Sequence, residues 1–181
     1  MTGLLSRLAA IGERISDWTG HAVAVLTGLM VGVTFLVVVL RYGFNLGWIS
    51  LQESITYLFA TNFMIGAAYT LRRDAHVRVD ILYQRLGPRG RAWVDLLGTL
   101  FLLLPVCGFI LWSSWSYVGE SWAVREASGE AGGLPWVYAL KTLLVIMPGL
   151  LILQGVTMLA RALLVLLNQT PAGPRSGVRE I

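Results

Sequence analysis

Apolar residues fall in four long blocks separated by short polar segments. Trp18–Leu40 runs 23 residues without a charge, Ser54–Leu71 runs 18, Leu96–Gly119 runs 24 and Thr142–Ala160 runs 19. A helix of about 20 apolar residues crosses the hydrocarbon core of a bilayer. A soluble core helix needs only one apolar stripe, whereas these blocks are apolar on every face. The pattern predicts an all-α integral membrane protein with four transmembrane helices, at about 18–40, 50–71, 92–118 and 136–160.

The flanks are read from the same pattern. In residues 1–17, Leu4, Leu8, Ile11 and Ile15 follow helical spacing, with Arg7, Glu13, Arg14 and Asp17 mostly off that stripe. This predicts an amphipathic cytoplasmic segment, either lying in the headgroup plane or continuing the first helix outward. Residues 18–167 form the four-helix transmembrane domain. The Pro-, Gly- and Ser-containing stretch 168–181 reads as a disordered cytoplasmic tail.

Charge sets the orientation. Eleven of the 14 Lys and Arg residues lie in the N-terminal tail, the middle loop and the C-terminal tail; the other two loops hold Arg41, Arg125 and Lys141. By the positive-inside rule both termini and the middle loop are cytoplasmic. The middle loop alone carries Arg72, Arg73, Arg78, Arg85, Arg89 and Arg91, a cluster that also attracts anionic lipid headgroups. The net charge of +4 therefore reflects topology and does not call for nucleic acid. Four spans use so much of 181 residues that no separate soluble domain fits. No short apolar stretch with a small-residue cleavage site precedes Trp18, so the first span is expected to be retained. The lone Cys107 has no partner for an intramolecular disulfide. Trp18, Trp48, Trp93, Trp112, Trp115, Trp122 and Trp136 fall at or near the expected span ends, as in an interfacial aromatic belt.

Within this frame, few residues bear chemistry. Ala24, Gly28 and Gly32 recur every fourth residue on the first span, a stripe suited to close packing against another helix. Ser50-Leu51-Gln52-Glu53 matches a capping box, so Glu53 is expected to cap its helix or contact a subunit; ion coupling is the weaker reading. Asn62 is placed for an interhelical hydrogen bond, and Gln154 and Pro148 for packing against a partner. Asp74, His76 and Asp80 resemble metal ligands, but arginines crowd them and no His or Cys completes a site. Ile81, Leu82 and Leu86 suggest a short surface helix stopped by Gly87-Pro88. Asp95 is expected in the first turn of the third helix and Pro105 at a mild kink. Lys141, one turn into the fourth helix, needs an outward snorkel or an acidic partner among Glu120, Glu126 and Glu130. His21 and His76 are badly placed to share a haem. No catalytic constellation, metal centre or cofactor site emerges; the residues describe a helical membrane subunit made for packing.

Several motifs in order carry a resemblance. They are Arg41-Tyr42-x-Phe44-Asn45, Glu53 after Trp48, Gly66-Ala67-Ala68, and His76-Val77-x-Val79-Asp80. From about Val31 to Ala160 the chain resembles the small permease subunit of tripartite ATP-independent periplasmic (TRAP) transporters, the DctQ family. Gly133-Leu134-Pro135 through Lys141, Pro148 and Leu153-Gln154 resembles a branch associated with carboxylate and aromatic-acid uptake. The resemblance implies a multi-pass subunit of the bacterial inner membrane. Its partners would be a large elevator-type membrane subunit, a periplasmic substrate-binding protein and membrane lipids. Sodium-driven uptake would reside in the large subunit, with this chain as a non-catalytic scaffold. Arg41, Tyr42, Phe44, Asn45 and Glu53 would form one structural signature and His76, Val77, Val79 and Asp80 another. Lys141 with the nearby acids is the candidate for an ion pair or docking. Two other readings compete: a membrane anchor of a respiratory enzyme, and a small proton-coupled exporter using Glu53.

Overall fold

The computed structural model describes the backbone of residues 2–73, 83 and 85–167, with side chains from residue 20 onward, Arg72 excepted. Four helices account for nearly all of it: α1 (Thr2–Gly43), α2 (Ile49–Arg72), α3 (Pro88–Ala123) and α4 (Val137–Leu166). No strand occurs among the described residues. The segment containing Asp74, His76 and Asp80, the expected short helix after it (apart from its C-terminal end) and the C-terminal tail lie outside the described residues.

The helix α1 runs 42 residues without a break between the amphipathic segment and the first apolar block. At 1.5 Å per residue that is about 63 Å, roughly twice the hydrocarbon thickness of a bilayer. Its end is set by Asn45, whose φ of 54° is left-handed. Asn tolerates that conformation, and the turn brings the Leu46 N–H 2.9 Å from the Leu40 carbonyl.

Among the described residues three segments are long and apolar enough to cross a membrane: Gly20–Gly43, Pro88–Ala123 and Val137–Leu166. The 24 residues of α2 are less apolar than the sequence blocks led us to expect, because Thr56, Tyr57, Thr61, Asn62, Tyr69 and Thr70 interrupt them. Packing explains how α2 keeps most of these groups, although Thr56 is exposed. The helix lies against both α1 and α4, and most of its residues are at least half-covered by protein.

Two helix starts differ from the expected ones. Trp48 is the N-cap of α2 and makes no side-chain capping bond. Ser50 thus falls inside the first turn, and the predicted capping box does not form. In α3, Gly87 is the N-cap and Pro88 the first helical residue, a position where the missing proline N–H costs nothing. Asp95 is consequently two turns into α3 and buried, where Tyr83 donates its hydroxyl to both carboxylate oxygens at 3.0 and 3.1 Å.

Within α3, Thr99–Leu103 forms a π-helical turn just ahead of Pro105. Pro105 has no N–H for the carbonyl four residues back, and a widened turn accommodates that gap. The turn packs on Gly155 of α4, where an added Cβ would stand 2.6 Å from Leu103 Cδ2. The hub of the bundle is α4, which packs on all three other helices and buries Leu143, Pro148, Gln154, Gly155, Thr157 and Ala160.

Candidate subunit-packing site and the brace at the α3–α4 loop

Polar groups at the end bearing the α1–α2 and α3–α4 loops are tied together by two carboxylates. Glu53 stands on α2 and faces the α3–α4 loop. Ser128 donates its hydroxyl to Glu53 Oε1, and the Leu134 N–H donates to Oε2 at 2.6 Å. Ser128 also pairs with Leu134 through the backbone at 3.0 Å and accepts the Glu130 N–H at 3.2 Å. The loop closes this tightly because Gly132 adopts φ 81° and Gly133 has no Cβ. A Cβ at Gly133 would lie 2.5 Å from Ser128 Oγ and 2.9 Å from Glu53 Oε1.

The second carboxylate is Glu126. Its Oε2 accepts from Lys141 Nζ at 2.5 Å and from Ser121 Oγ at 2.7 Å. Lys141 also sits 4.2 Å from the centre of the Tyr117 ring, a cation–π contact. The Lys141 hydrogen bond, followed by that of Ser121, holds the Glu126 carboxyl below the usual glutamate range. Of the three acids considered as partners for Lys141, Glu126 is the one it meets. Trp122 completes this end of the α3–α4 contact. Its indole donates to Thr142 Oγ1 at 2.9 Å, and its ring meets Tyr138 edge-on with centroids 4.7 Å apart.

Between α1 and α2, Asn62 Nδ2 donates to Thr27 Oγ1 at 2.7 Å. Asn62 thus bonds between helices within this chain, while its Oδ1 and the Tyr57 hydroxyl are buried without a protein partner. Gln154, 2% exposed, is likewise packed inside the chain's own bundle. Gly20 leaves room for the Tyr69 ring to cross α1, and the Arg73 guanidinium lies 5.3 Å over that ring.

The remaining expected packing groups point outward. Ala24, Gly28 and Gly32 are exposed, and among the described residues nothing lies within 4 Å of a Cβ built on either glycine. Tyr42 and Phe44 are 82% and 67% exposed, and Arg41 and Asn45 are also on the surface. Large apolar side chains cover the same open surfaces, among them Val25, Phe35, Phe101 and Trp112. Six tryptophans whose side chains are described are exposed: Trp48, Trp93, Trp112, Trp115, Trp122 and Trp136. Among the described residues no cluster of three potential metal ligands occurs.

Ser121, Tyr117, Ser128 and Thr27 were not singled out in the sequence. For the loop that Glu53 holds, the local signal was the glycine pair before Leu134-Pro135, which marks a close approach of backbone.

Residues 30–165 match the family model for tripartite ATP-independent periplasmic transporters, DctQ component. A Haemophilus influenzae protein provisionally named a TRAP transporter small permease protein is 38% identical over 91 residues, covering 50% of this chain and 55% of its own. The C4-dicarboxylate TRAP transporter small permease protein DctQ of Vibrio cholerae is 30% identical over 112 residues, covering 62% of this chain and 48% of its own. The chain thus spans about half the length of the curated relatives it matches. No solved structure matches it. A multi-pass helical bundle that ties its polar groups inward and turns its apolar faces outward, this chain belongs to the DctQ component family of TRAP transporters.

Proposed function

We propose that this chain is the small, non-catalytic membrane subunit of a sodium-driven TRAP transporter for an organic acid of the carboxylate class. It would sit in the bacterial inner membrane with four spans and both termini in the cytoplasm. Its partners would be a large elevator-type membrane subunit, a periplasmic substrate-binding protein and the surrounding lipid. The observation that carries this reading is the family match over residues 30–165. The Vibrio relative's printed name supports a C4-dicarboxylate or similar acid.

On this reading α2 is the fourth span, with most of its hydroxyl and amide groups partly shielded by α1 and α4. The Lys and Arg distribution puts the α3–α4 loop on the periplasmic side. The small-residue stripe of α1, the open face of α1 and the part of α3 around Phe101 and Trp112 would supply contact area for the large subunit. Small residues on a membrane helix let a neighbour approach closely, adding dispersion contacts beyond those available from lipid. Ala24, Gly28, Gly32, Arg41, Tyr42 and Phe44 would then be interface residues, and Glu53 and Lys141 would keep the periplasmic loop in a fixed shape. Scaffolding would need a loop of fixed shape at this end, and the two carboxylate ties support that reading.

Reconstitution tests this directly. Proteoliposomes holding this chain, the large subunit and the binding protein should accumulate a labelled dicarboxylate under an inward sodium gradient. Vesicles with this chain alone should not. Uptake by this chain alone under a proton gradient would instead favour the exporter reading.

A further inference from the structure

One line of side chains on α3 changes character along the helix. Arg89, Trp93, Leu97 and Leu100 follow one another at four, four and three residues, which places them on one face. All four are exposed. Ala92, Asp95 and Thr99, on an adjoining face of the helix, are buried against the bundle. The line therefore faces away from the bundle. Arg91 is turned elsewhere: its Nε donates to the Leu86 carbonyl at 3.0 Å, and its guanidinium lies 5.6 Å over the Tyr83 ring.

We propose that this line binds one anionic phospholipid. Its phosphate would meet Arg89, its glycerol region Trp93, and an acyl chain Leu97 and Leu100. Three physical matches support that occupant. The distance from residue 89 to residue 100 is about 16 Å along a helix, within the roughly 20 Å of one leaflet with its headgroup, so the line reaches from the phosphate level part-way down an acyl chain. The order cation, indole, aliphatic is the order of a phospholipid from headgroup to chain, and indoles favour the headgroup boundary. A guanidinium has five N–H donors in a planar fork, so it receives a phosphate bidentately even when it keeps a contact within the protein. Exposed Arg85 nearby adds charge of the same sign. A zwitterionic choline lipid carries its own cation near the phosphate and gains less.

Native mass spectrometry of the full-length chain in mild detergent tests this, with phosphatidylglycerol and phosphatidylcholine of identical chains added in equal amounts. Phosphatidylglycerol should be retained about fivefold more, the gain expected from one cation beside an anionic headgroup. R89Q should remove that preference, while R125Q on the α3–α4 loop should leave it intact. Equal retention of the two lipids, or an unchanged preference in a folded R89Q, would overturn the proposal. Should R89Q fail to fold, wild type and W93F are compared in vesicles with bromine on the phosphatidylglycerol chains. Bromine should quench the wild-type fluorescence more from phosphatidylglycerol than from phosphatidylcholine, and W93F should lose that difference. The absence of any difference, or its persistence in W93F, contradicts the site.

Discussion

Glu53 and Leu134 lie 81 positions apart and meet through a 2.6 Å hydrogen bond from the Leu134 N–H to the Glu53 carboxylate. This bond, with that from Ser128, ties α2 to the loop between α3 and α4. The loop is thus held by a helix on which neither of its ends is anchored. A charged acceptor holding a backbone donor is among the stronger tethers available to a loop.

Replacing Glu53 with Gln removes the charge and turns one acceptor into a donor. Hydrogen exchange at the Leu134 amide should accelerate on the order of tenfold, with little change in the helices. Unchanged protection at Leu134 would show that the tie contributes nothing in solution.

Gly133→Ala tests the close approach in the same loop. The new Cβ meets Ser128 Oγ at 2.5 Å, so the loop must shift off Glu53. Overpacking of this kind costs about 1–3 kcal/mol. Thermal unfolding should show that loss, while Gly129→Ala, with nothing within 4 Å of its Cβ, should not.

The Lys141–Glu126 pair predicts a pH dependence. The hydrogen bonds from Lys141 and Ser121 lower the pKa of the Glu126 carboxyl from its ordinary value in the folded chain. Its stabilising contribution is therefore fully present above the unfolded value and is lost as pH falls through the folded one. Between about pH 6 and about pH 3 the wild-type melting temperature should fall more steeply than that of E126Q. K141M should resemble E126Q, and the double variant should be less destabilised than the two losses summed. Full additivity would show that the groups act separately.

Thr27→Val leaves the Asn62 amide buried without its acceptor, whereas Asn62→Leu removes the polar group altogether. Interhelical hydrogen bonds in membranes contribute about 0.6 kcal/mol on average. The first change should cost at least that much and the second less, as measured by unfolding in detergent. The opposite order would mean that Asn62 contributes mainly by its volume.

Much of the architecture was legible as blocks of apolar residues, because a bilayer demands long runs with no polar face. The helices α1, α3 and α4 each contain one of those runs and extend beyond it, α1 by 16 residues at its start. The α2 block was read as apolar all round, and its polar residues were under-weighted because helix–helix shielding is not visible locally. Ser50 to Glu53 spelled a capping box, but the helix began at Ile49, and Glu53 found donors on a loop far along the chain. Asp95 was misplaced because Gly87-Pro88 was read as the end of one helix; the same pair equally signals the start of the next. For Lys141, sequence narrowed the partner to three acids, and loop geometry selected Glu126. The π turn before Pro105 left no pattern beyond the proline itself.

The central claim is that this chain works bound to a large membrane subunit. Its direct test is purification from native membranes in mild detergent through a C-terminal tag, with partners identified by mass spectrometry. The account predicts one large multi-span membrane protein in equal amount, lost when Gly28 and Gly32 are both changed to Leu. Recovery of the chain alone, or with flavin and iron–sulfur subunits, would contradict it.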